Sequence, residues 1–105
     1  MSQITLGMIT LSTTAAPERS QQTTWKPYPN FKVVVLNDDF NTFEHVIDCL
    51  LQHIPHMNLE KAEQLTSEIH HSGAATVWVG PQEQAELYHM QLGIEGLTMG
   101  PLEAA

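Results

Sequence analysis

Phe31-Lys32-Val33-Val34-Val35-Leu36-Asn37-Asp38-Asp39 is an apolar, β-branched run that breaks into three small polar residues, and a helical pattern begins directly after it near Thr42. The run reads as a buried strand. Asn and Asp favour turns and helix N-caps because their side chains bond nearby backbone groups. Two capping positions at most need filling here, so at least one acceptor is left over to face a ligand, and a cationic one by charge.

Downstream, Phe43, Val46, Ile47, Leu50 and Ile54 recur at helical spacing, with His45, Asp48 and Gln52 opposite, which predicts an amphipathic helix over 42–53 that Pro55 ends. Asn58 is placed to cap a second helix whose apolar face is Leu59, Ala62, Leu65 and Ile69, and Gly73 sits where a helix-terminating glycine belongs. Ala74-Ala75-Thr76-Val77-Trp78-Val79 reads as a second strand between Gly73 and Gly80. Pro81 opens a third helix with Ala85, Tyr88 and Leu92 inside, running to Gly93, and Leu97 to Leu102 forms a short edge strand limited by Gly100 and Pro101. The expected fold is α+β, in the order β-α-α-β-α-β, with a small three-stranded antiparallel sheet and the helices packed on one face.

Residues 1–27 are rich in Ser, Thr, Gln, Ala and Pro without a sustained period, and they read as a flexible N-terminal extension to a core domain at 28–105. Of 105 residues, four are Lys or Arg and twelve Asp or Glu, a formal net charge of −8. Phosphate binding needs clustered cations, so a nucleic-acid partner is not expected. No apolar run approaches the roughly 20 residues of a membrane helix, and a lone cysteine, Cys49, leaves no internal disulfide to form. A soluble, cytoplasmic, monomeric protein is expected.

Chemistry is sparse. His53-x-x-His56 and His70-His71 have spacings reminiscent of metal ligands, but Pro55 interrupts the first pair and adjacent helical residues diverge by about 100°. Cys49 lies among apolar neighbours, where a thiol is inert packing, and there is neither a phosphate loop nor a nucleophile elbow. No enzyme, metal or cofactor is expected. Thr66 and His70 lie four residues apart on one flank of the second helix, bordering its apolar stripe.

Taken together, Lys32-Val33-Val34-Val35-Leu36-Asn37-Asp38-Asp39-Phe40, Glu44-x-Val46-Ile47-Asp48-x-Leu50, Ala62-x-Gln64-Leu65 and Ile69-His70-x-x-Gly73 resemble the ClpS family of N-degron adaptors over residues 31–103. Ile54-Pro55-x-Met57 and Met90-Gln91-Leu92 are most similar to its cyanobacterial and plastid-type branch. The resemblance implies a non-enzymatic protein that captures the free N-terminal residue of a chain, usually Phe, Leu, Tyr or Trp, and delivers it to a Clp AAA+ unfoldase of the ClpC or ClpA type for proteolysis. It implies that Asn37, Asp38, Asn41 and His70 bind the ammonium and first peptide group, and that Phe43, Val46, Thr66, Ile69 and Thr98 line the hydrophobic pocket. Asn41 stands where the family has threonine, Phe43 and Thr66 where it has methionine, and Thr98 where it has leucine. Docking to the unfoldase's N-terminal domain would use Glu83 and Glu86, with Tyr88 replacing a lysine of the pattern, and residues 1–27 would engage the unfoldase channel. The alternative, a generic peptide-binding or ribosome-associated module of similar topology, fits less well, since the ribosomal case needs a basic surface.

Overall fold

The computed structural model describes residues 29–105; the expected extension at 1–27 lies outside them. The elements are β1 (Phe31–Leu36), α1 (Phe43–His53), α2 (Leu59–Ser72), β2 (Ala74–Gly80), α3 (Gln82–Ile94), β3 (Thr98–Met99) and β4 (Glu103–Ala104). This is the expected α+β order, with the last strand in two pieces.

Strand β1 is central because both of its edges are paired. On one side β2 runs antiparallel to it from Phe31 opposite Gly80 to Leu36 opposite Ala74. On the other side β3 sets Thr98 opposite Leu36 and Met99 opposite Val35, and β4 sets Glu103 opposite Lys32 and Ala104 opposite Phe31. Between them the Gly100 N–H donates to the Val34 carbonyl at 2.9 Å. Pro101 has no N–H to give, so the ladder lapses there and resumes at Glu103. The expected edge strand over 97–102 is therefore broken at its proline and extends further, to Ala104.

Val33 and Val35 of β1 are fully buried against the helices, together with Leu50 of α1, Ala62 and Ile69 of α2, and Ala85 and Leu92 of α3. In β2 the register shifts: Trp78 faces Val33 and Thr76 faces Val34, leaving Val77 as the extra residue of a bulge. The shift turns Trp78 to the helix side. Its indole meets the Tyr88 ring edge-on, centroids 4.9 Å apart, and lies across Gly80, where an added Cβ would come within 2.2 Å of the indole.

Local signals account for most helix ends. The Thr42 hydroxyl accepts the His45 N–H at 3.0 Å, and the Asn58 side chain accepts the Lys61 N–H at 2.8 Å. Gly73 closes α2 at φ +91°, as expected of a left-handed cap. Helix α3 passes Gly93 and stops before Gly96, which has φ +97°. Leu59, expected on the inner face, is instead 55% exposed at the first position of α2.

Candidate functional site

The site is built where β1 ends. The Asn37 N–H donates to the Gly73 carbonyl at 2.9 Å, tying the polar loop to the C-terminal end of α2. That bond brings Asn37 and His70 to one pocket, a cavity of about 180 Å³. Asn37, Asp38, Asp39 and Asn41 form its lip on the loop side, and His70 its far edge. Phe43 and Val46 of α1 and Thr66 and Ile69 of α2 complete the lining. Polar acceptors at the mouth of an apolar hole suit a ligand with a cationic head and an apolar side chain.

Within the lip, Asp38 has its hydrogen-bonding capacity filled by the protein. Its Oδ1 accepts the Phe40 N–H at 2.9 Å and the Asn41 N–H at 2.8 Å. Its Oδ2 accepts the Asn41 Nδ2 and the Thr98 hydroxyl, both at 2.6 Å. A carboxylate offers about four lone-pair sites, so these donors occupy it. Its pKa is held well below the usual carboxylate range, first by the Asn41 N–H and then by the Thr98 hydroxyl and Phe40 N–H, against a small opposing effect of burial. Asp39, the third polar residue of the opening stretch, is exposed on the lip, and it and Thr42 join the lining beyond the site residues that the family resemblance implies.

Thr66 is only 3% exposed, and its hydroxyl donates to the Ala62 carbonyl at 2.7 Å, which satisfies the buried polar atom. Phe43, at the first turn of α1, is 41% exposed and forms part of the rim. His70 is exposed and meets the His71 ring edge-on at 5.2 Å. Thr98 was expected as a wall of the pocket; it lines instead a small adjoining hollow with Leu97, and its hydroxyl serves Asp38.

The other sequence candidates lie elsewhere. Glu83 and Glu86 are exposed on α3, beside two open hollows of about 620 and 500 Å³ that share no residue with the loop pocket. Those hollows are larger and carry acceptors of their own, but neither is walled by apolar side chains from two helices. His53 pairs with Glu95 at 2.7 Å, and His45 Nε2 donates to the Glu95 carbonyl at 2.8 Å, so both bracket α1 against the end of α3. Burial, with Glu95 and Asp48 nearby, pushes the Cys49 thiol up to about 11, which leaves it protonated and unreactive at neutral pH. Among the described residues no three metal-ligating side chains converge, and no helix is long and apolar enough to cross a membrane.

The family described as "ATP-dependent Clp protease adaptor protein ClpS" matches residues 26–100. The chain belongs to the ClpS family. A ClpS adapter of Synechocystis sp. is 62% identical over 98 residues, covering 93% of this chain and all of the relative. A ClpS adapter of Nostoc sp. is 63% identical over 92 residues, 88% of this chain and 95% of the relative. A chloroplastic Clp protease adapter of Arabidopsis thaliana is 39% identical over 69 residues, 66% of this chain and 43% of that longer protein. Among solved structures, Agrobacterium tumefaciens ClpS2 bound to L-phenylalaninamide superposes with a TM-score of 0.64 at 26% identity, covering 73% of this chain and 98% of that one. This ClpS protein is thus a Clp protease adaptor, not an enzyme, and the cyanobacterial and plastid affinity expected from its sequence holds.

Proposed function

We propose that this ClpS protein captures the free N-terminal residue of N-degron substrates, in particular a bulky Phe, Leu, Tyr or Trp, and hands the substrate to a Clp AAA+ unfoldase of the ClpC or ClpA type. The observation that carries the reading is the convergence of Asn37 and His70 over a cavity of about 180 Å³ with Phe43, Val46, Thr66 and Ile69 in its lining. An N-terminal residue offers an α-ammonium beside a large side chain, and this arrangement answers both parts. Asn37 and a neutral His70 accept from the ammonium, and Asp38 and Asn41 act from the loop side. The L-phenylalaninamide in the Agrobacterium relative supports the reading, since that molecule has the α-ammonium, aromatic side chain and first amide of a peptide with N-terminal Phe.

An adaptor also needs a second surface. Exposed Glu83 and Glu86 on α3, with Leu87 and Met90 beside them, are our candidate for contact with the unfoldase's N-terminal domain. Residues 1–27 are the candidate for engaging its channel during handover. Fluorescence anisotropy with peptides differing only in the first residue tests capture. Acetylating the N-terminus removes a charge-assisted bond and leaves acceptors unpaired, so affinity should fall by about 2–4 kcal/mol. Equal binding of free and acetylated Phe peptides would sink the reading.

A further inference from the structure

Two side chains far apart in sequence, Asn41 and Thr98, meet on one atom. Asn41 Nδ2 and the Thr98 hydroxyl both donate to Asp38 Oδ2 at 2.6 Å. Asn41 Nδ2 also donates to the Gly96 carbonyl at 2.9 Å, so both hydrogens of its amide are used. The register of β3 explains how Thr98 gets there, since it lies opposite Leu36, the last residue before the Asn37-Asp38 loop. We propose that Asn41 and Thr98 are a matched pair of positioning residues that clamp the Asp38 carboxylate, and through it the ammonium-binding lip, to the turn between α3 and β3.

The clamp has a chemical consequence for the ligand. With four donors on its two oxygens, Asp38 has no unshared lone pair for an incoming ammonium. It acts as a fixed negative charge and as the organiser of the loop, and direct acceptance falls to Asn37, Asp39 and His70, which share the pocket mouth. Neither partner suffices alone. Without Thr98, Oδ2 keeps only a donor from its own loop; without Asn41, the loop loses its bond to Gly96.

The inference rests on the proposed capture of free N-termini, and its test separates the two. Thr98→Val keeps the shape and the β-branch but deletes the donor, whereas Thr98→Ser keeps the donor. For a free-N-terminus Phe peptide, Thr98→Val and Asn41→Ala should each weaken binding about tenfold, as for a lost bond to a charged group, and Thr98→Ser should bind as the wild type does. The double variant Asn41→Ala/Thr98→Val should lose less than the product of the two single losses, because both act through one carboxylate. Backbone amide exchange at Phe40 and Asn41, read without peptide, should rise in Thr98→Val and not in Thr98→Ser. Wild-type binding that ignores acetylation overturns the capture reading and leaves the exchange result to decide the clamp. Unchanged exchange in Thr98→Val overturns the clamp, as does unchanged affinity in a protein whose wild type does discriminate free N-termini.

Discussion

Thr66 illustrates how one side chain sets the dimensions of the pocket. It is buried to 3% exposure with its hydroxyl spent on the Ala62 carbonyl, so it fits an apolar cavity without an unpaired polar atom. It is also short, and it shares the cavity with Phe43 at the rim. A side chain branched at Cβ needs width near the pocket mouth, and methionine at this position would take some of it away. N-terminal Ile should therefore be rejected less strictly by the wild type than by Thr66→Met, with a difference of about 1–3 kcal/mol in the Leu-over-Ile preference. Leu and Ile peptides titrated against both proteins check this. A preference equally steep in the two means that Phe43, not Thr66, forms the barrier. His70 and Asn37 could be picked out in the sequence because turn chemistry and helix flanks are local. The role of Thr98 could not: its contact with Asp38 depends on which residue of the last strand comes to lie opposite Leu36.

At the level of elements, α2 connects the core to the site, since Ala62 and Ile69 are buried while the carbonyl of its cap, Gly73, receives the Asn37 N–H. Gly73→Ala puts a Cβ into open space, with nothing within 4 Å, so the cost comes from the backbone at φ +91° alone. That cost is about 1–2 kcal/mol. The thermal midpoint should fall by several degrees, about 4–8 °C per kcal/mol for a domain of this size; an unchanged midpoint would mean that the cap rearranges freely. Both caps of α2, Asn58 and Gly73, were legible because each is a single residue with one conformational preference. Features set by pairing were not. The bulge that turns Trp78 inward leaves no mark in Thr76-Val77-Trp78-Val79, where either alternate set is apolar enough to be the inner one. Gly93, read as the end of the third helix, lies inside it: α3 runs to Ile94, with its last buried residue at Leu92.

The whole molecule carries two separate surfaces. The loop pocket joins the end of β1 to α1 and α2, and the acidic stretch with Glu83 and Glu86 lies on α3. An adaptor must hold its cargo and its machine together, and surfaces that share no residue allow both to be occupied. A formal charge of −8 adds a general attraction for cationic groups, which favours encounter but does not choose a site. The central claim is thus one of location: the small loop pocket, not the larger hollows on α3, receives a free amino terminus. Titrating the isotopically labelled chain with L-phenylalaninamide and following its amide NMR shifts tests this most directly. Shifts should centre on Asn37, Asp39, Val46, Ile69 and His70, and none of them should appear with N-acetyl-phenylalaninamide. Shifts centred on Glu83, Leu87 and Met90, or the same response to the acetylated compound, would contradict it.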